Sequence, residues 1–222
     1  MTSSLSDFPD RYETIPIQKF FKSSVDISYL NLRDDVMKCN EIIVINSLNR
    51  KNFMTTYMYT TSVPVFKQLL NSLRNILTKA EDYAAEKKID PTVLLEARLY
   101  PDMFPLIRQV QIAADFAKSV SARLAGVEVP AFDDHEGNFT ELKERIGKTL
   151  LFIESLTPAQ FEGSETREIV LRPGTPKEKK LLGHAYLTSY GLPQFFFHVT
   201  SAYAILRHNG LNVGKGDYMG TF

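Results

Sequence analysis

The chain has 222 residues, 44% hydrophobic and 23% charged, and its 26 Lys+Arg balance its 26 Asp+Glu. That length fits one domain of ordinary size, or one domain plus an extension, and that composition is not that of a disordered chain. Zero net charge argues against a surface built for polyphosphate, so no nucleic-acid partner is expected. The single cysteine, Cys39, excludes an internal disulfide and any multi-cysteine metal site. No apolar run reaches membrane-spanning length, so no membrane partner is expected. Residues 1–7 lack the basic start and apolar core of a secretory signal, which makes a cytoplasmic location the default.

Residues 1–53 hold short apolar pieces with no sustained period. The β-branched run at 42–45 reads as a short strand without an obvious partner. The patterned region opens at Met54, so the expected organisation is an N-terminal extension, 1–53, and a folded domain, 54–222.

The spacing predicts a helix from about 57 to 87, with Val63, Phe66, Leu69, Leu70, Leu73, Ile76, Leu77, Ala80 and Tyr83 recurring at three- and four-residue steps. Pro64 either occupies a first turn or kinks the helix. Asp90-Pro91 is a second start signal, leading a short helix over 92–99. The next long helix, about 103–124, has an apolar stripe of Phe104, Ile107, Val110, Ala113, Ala114, Ala117, Val120 and Leu124, small enough in the middle for close approach. Its polar stripe is Arg108, Gln111, Asp115 and Lys118. Gly126 supplies the stop. After a loop, a third long helix is expected over about 136–155, with Phe139, Leu142, Ile146, Leu150 and Ile153 inward.

Thr157 to Gln160 reads as a capped turn. Residues 167–182 read as an exposed hairpin around the turn at 173–176. The last helix, about 193–207, has Leu192, Phe195, Phe196, Val199, Ala202, Tyr203 and Leu206 on its inner face and ends at Asn209-Gly210. The tail is expected to be extended. The fold class is therefore all-α, a four-helix bundle with a small β-hairpin before the last helix.

Neither glycine-rich nucleotide cradle occurs, nor a Gly-x-Ser-x-Gly elbow. A bundle can instead hold a metal between helices on inward histidines or carboxylates. His198, in the last helix, is the central candidate. Its i+4 partner is Ala202, so a His-x-x-x-His pair is missing. Gln194 stands one turn earlier on the same face. His208 at the helix end suits the dipole, His135 lies in an acidic stretch, and His184 follows the hairpin. Asp115 can pair with Lys118 or Gln111 on its own helix. Phe197, off the inner stripe, is a candidate homodimer surface.

Residues 54–222 resemble the domain-of-unknown-function 1993 family. The blocks that carry the resemblance are YMYTTSVPVF at 57–66, IDPTVLLEARL at 89–99, PDMFPLIRQVQIA at 101–113, PAQFEG at 158–163 and LPQFFFHVTSAYAILRHNG at 192–210. That family is similar to the DinB/YfiT-like metalloenzyme superfamily, which implies a four-helix bundle. In the wider superfamily, a histidine on the second helix and a His-x-x-x-His pair on the last hold a metal. Here Arg108-Gln109-Val110 resembles the second-helix motif without a histidine, Phe116 offers no ligand, and His198 faces Ala202 without a mate. The resemblance therefore implies a bundle that lacks the three-histidine site. The expectation is a non-catalytic or small-molecule-binding module without a cofactor. The alternative is a hydrolase or transferase with His198 as acid/base, helped by Asp115 or Gln109, or with His198 as lone ligand to a zinc or nickel ion.

Overall fold

A computed structural model describes residues 57–221. The expected extension at 1–53, with its strand at 42–45, lies outside the described residues.

Four long helices form the bundle: α1 (Val63–Lys87), α3 (Leu106–Ala125), α4 (Phe139–Glu154) and α5 (Leu192–His208), with the short α2 (Pro91–Leu95) between the first two. α3 packs mainly against α5 and α4, and α1 lies against α4 and α5, so α1 and α3 sit diagonally. The core is most of the stripes the spacing predicts, with Tyr83, Ile107, Leu192 and Tyr203 only partly buried against it. Leu70, Leu73 and Leu77 of α1 share one buried cluster with Val110, Ala113 and Ala117 of α3, Leu142, Ile146 and Ile153 of α4 and Phe195, Val199 and Ala202 of α5. Phe66 and Phe195 close the α1–α5 seam edge to face, with centroids 4.8 Å apart.

Local chemistry sets the helix ends. Pro64 occupies the first turn of α1. The Asp90 carboxylate accepts from the Thr92 backbone N–H at 2.9 Å and starts α2. Gly126 ends α3 in the left-handed region, φ 71°. A Cβ at Gly126 would lie 2.9 Å from Arg167 Nη1, the movable end of a long side chain, so it is the positive φ that favours glycine here. That guanidinium donates to the carbonyl of Leu124, one of the open acceptors at the helix end.

Beyond a short 3-10 turn (Pro158–Phe161), β1 (Glu168–Leu171) pairs antiparallel with β2 (Lys179–Leu182), Glu168 opposite Leu182 and Leu171 opposite Lys179. Ile169 and Leu171 of β1 face the bundle, as a hairpin marginal on its own requires. One helical turn (Gly183–Ala185) and a π-helical turn (Tyr186–Gly191) lead into α5.

Four expectations need correction. The third long helix starts at Phe139 instead of Glu136, because Asn138 is the cap: its side chain accepts from the Glu141 N–H at 2.9 Å. Phe104 precedes α3 and is exposed. Phe196 is also exposed, since His198 and Ile205 take places on the inner face of α5. The tail is not extended throughout. It forms α6 (Lys215–Met219), tied to α1 by Lys79–Asp217 and by Gln68, which donates to the Met219 carbonyl at 2.8 Å.

Candidate functional site

His198 lies three residues after Phe195 and four before Ala202, so the period of α5 turns it into the bundle. It is 6% exposed, and Gln109, in the first turn of α3, is 1% exposed. The two meet with His198 Nδ1 2.7 Å from Gln109 Oε1. Gln109 Nε2 donates to the Phe104 carbonyl at 3.1 Å. A carbonyl only accepts, so the amide NH2 must point to Phe104 and its oxygen to the imidazole. Nδ1 therefore carries the proton and Nε2 keeps the lone pair. No described residue hydrogen-bonds to Nε2.

The walls are aromatic. Phe116 stacks on the imidazole at 5.9 Å with a 15° interplanar angle, and Phe197 meets it edge-on at 5.2 Å. Tyr190 continues the aromatic row against the edge of Phe116. Burial in these surroundings disfavours the imidazolium and pushes the His198 pKa down to about 4, with the positive charge of Arg108 acting in the same direction. At neutral pH the ring is uncharged.

Of the three residues named from sequence as candidates for catalysis, the structure joins His198 and Gln109 but does not hydrogen-bond Asp115 to either. Asp115 Oδ1 is engaged by Lys118, the partner expected on its own helix, and by Arg145 from α4, each at 2.9 Å. Arg145 is the residue sequence reasoning missed. Its side chain is 1% exposed, and it gathers three carboxylates at 2.9 Å: Asp115, Asp134 and Glu136. It also donates to the Asp133 carbonyl at 3.1 Å. Gln111 donates to the other oxygen of Glu136, and Arg108 pairs with Asp134. Lys118 Nζ lies over the Phe132 ring, 4.1 Å from its centroid.

Gln111 and Lys118 of the α3 polar stripe are thus buried instead of facing water, while Arg108 and Asp115 stay partly exposed. Burial alone would raise the carboxyls of Asp134 and Glu136. Arg108 and Arg145 outweigh it at Asp134, and Arg145 with Gln111 outweighs it at Glu136, so both are held below their usual range. The available signal was Arg145 beside the inner stripe of α4, matched by the acids at 133–136.

The donor set around His198 does not fit a divalent cation. Among the described residues, no three His, Cys, Asp or Glu side chains stand together as a metal site. Gln109 Oε1 already accepts the imidazole proton. His135, His184 and His208 are exposed, and His184 stacks on Tyr57 at 6.4 Å.

The family described as a domain of unknown function, DUF1993, matches residues 58–219. A crystal structure of a DinB family member protein from Shewanella denitrificans is 41% identical, covers 77% of this chain and 96% of its own, and superposes with a TM-score of 0.73. No curated protein matches the chain.

Proposed function

The chain belongs to the DUF1993 family and has a DinB-like fold, and from that premise we propose that it is a small-molecule-binding bundle whose ligand donates a hydrogen bond to His198 Nε2. The observation that carries this reading is the tautomer. Gln109 pins Nδ1–H, burial keeps the ring neutral, and Nε2 is left as an acceptor among aromatic rings. Such a site binds a donor group on an aromatic or otherwise flat molecule.

The rival, a hydrolase or transferase with His198 as acid/base, has one support: an orienting partner within hydrogen-bond reach. Against it, a ring whose conjugate acid has a pKa of about 4 is a weak base at neutral pH. No step through a metal follows from this donor set.

Two measurements test the reading on the full chain. Elemental analysis after exposure to zinc or nickel should find no stoichiometric metal in the native protein or in His198→Ala. About one equivalent lost in the variant would overturn it. Phenol, used as a donor probe, should shift the Nε2 nitrogen resonance of His198, while anisole should not. Equal shifts from both would remove the hydrogen-bond role.

The division of the chain near Met54 is part of the same proposal. Limited proteolysis should leave a stable fragment starting near residue 50–55. A stable fragment starting near residue 25 would overturn it.

A further inference from the structure

Between the hairpin and the start of α5 lies a cavity of about 190 Å3, lined by Leu171, Arg172, Lys177, Lys179, Tyr190 and Gln194. Three of the six are cations. Among the described residues no carboxylate lies within 4.0 Å of Arg172, Lys177 or Lys179. The two acids of the hairpin are turned to other partners. Glu168 faces Lys180 at 3.9 Å, and Glu178 accepts from the Gly174 N–H at 2.8 Å. All three are solvent-exposed, so water screens their mutual repulsion, yet their shared positive potential favours an anion between them.

The backbone adds a second observation. Arg172 has φ 51°, in the left-handed region where a non-glycine side chain is strained. The turn would be relaxed with glycine, yet it carries the guanidinium that lines the cavity. Tyr190 and Gln194 complete the lining, and the polar groups of neither side chain have a hydrogen-bond partner among the described residues. Gln194 also lines an adjoining apolar pocket of about 350 Å3 with Pro193 and Phe197.

We propose that this cavity holds the phosphate or carboxylate group of a small organic anion, with the apolar remainder running past Gln194 toward Phe197. The charge balance is the reason for an anionic head, and the shared Gln194 is the reason for an apolar body. The inference rests on the small-molecule reading only in taking the bundle to be a binding protein, and it adds the charge class of the ligand. Arg172, Lys177 and Lys179 supply the charge, while Tyr190 and Gln194 supply the neutral hydrogen bonds that orient the head.

Calorimetric titration of the full chain with octyl phosphate, octanoate and neutral octanol tests it. One or both anions should bind, octanol should not, and affinity should fall as salt rises. Binding of octyl phosphate alone assigns a phosphoryl head, and binding of octanoate alone a carboxylate. Arg172→Gly removes the guanidinium without backbone strain. Combined with Lys177→Ala, it should weaken the bound anion about tenfold or more. Circular dichroism of that double variant verifies that it is folded. Unchanged affinity in the folded double variant, or octanol binding as well as the anions, overturns the proposal. His198→Ala separates the two readings: anion binding that survives in it sustains the cavity and removes His198 from the ligand's contacts.

Discussion

His198 and Gln109 are joined by a single 2.7 Å hydrogen bond between α5 and α3, and the direction of that bond is fixed from outside by the Phe104 carbonyl. A backbone atom before α3 thus decides which ring nitrogen of a residue on the last helix is free. The consequences for protonation and stability can be measured.

The first is the titration of His198. Nitrogen NMR should find its ring neutral with the proton on Nδ1, titrating near pH 4. The folded pKa is below the unfolded value of about 6.5, so the unfolded state binds the proton first. The stability this neutral ring confers is complete above about pH 6.5 and is lost as pH falls from there toward 4. An unfolding series across that window should show a loss of about 1–3 kcal/mol that is absent in His198→Phe.

Gln109 can be tested separately. Gln109→Leu leaves a buried Nδ1–H and the Phe104 carbonyl without partners and should cost about 1–3 kcal/mol in urea unfolding. Gln109→Glu puts a carboxylate against the ring and should raise the His198 pKa, moving the NMR titration upward. An unmoved titration would show that the two groups are not coupled.

Arg145 holds three carboxylates, so its removal should be felt more strongly than that of any one acid. Arg145→Met should cost about 3–5 kcal/mol, because Asp115, Asp134 and Glu136 lose a buried counter-charge. Hydrogen exchange at residues 127–138 should quicken in the same variant. In the native protein the depressed carboxyls at Asp134 and Glu136 confer stability that is complete above their ordinary range, near 4 to 4.5, and disappears as pH falls through their lower folded values. This acid limb lies below the His198 window and should survive in His198→Phe.

Close approach gives a graded pair of substitutions. A Cβ at Gly183 would lie 1.8 Å from the Ser164 carbonyl oxygen, and one at Gly191 would lie 2.8 Å from a Val120 methyl. Gly183→Ala must displace backbone and should cost more than about 3 kcal/mol. Gly191→Ala meets a side chain that can shift and should cost about 1–3 kcal/mol. Thermal melts of the two should fall in that order.

The bundle was legible because its stripes are long. Leu70, Leu73 and Leu77 on α1, and Val110, Ala113 and Ala117 on α3, repeat at helical steps and are buried where the period puts them. The hairpin was legible from the turn residues between Arg172 and Lys177. The pairing of His198 with Gln109 was half legible: both were named, but spacing along one helix carries no information about contact across two. The burial of Gln111 and Lys118 was not legible, since a polar stripe at helical spacing ordinarily faces water. Only a second charged residue turned inward, Arg145, reverses that reading, and it is distant in sequence. The helix Lys215–Met219 was hidden because it is short, glycine-flanked and fixed by Lys79 and Gln68 of α1.

The π-helical turn at Tyr186–Gly191 sets the rotational phase of α5. A π turn holds one residue more than an α turn, so it rotates the segments on its two sides by about 100° relative to an uninterrupted helix. That offset lets Gly191 press against Val120 while Tyr190 reaches both the hairpin cavity and the ring of Phe116. Insertions or deletions of one residue between 186 and 190 would therefore act as a change of angle more than of length. They would carry the hairpin cations away from the face that bears Gln194 and His198 even if every helix of the bundle still formed.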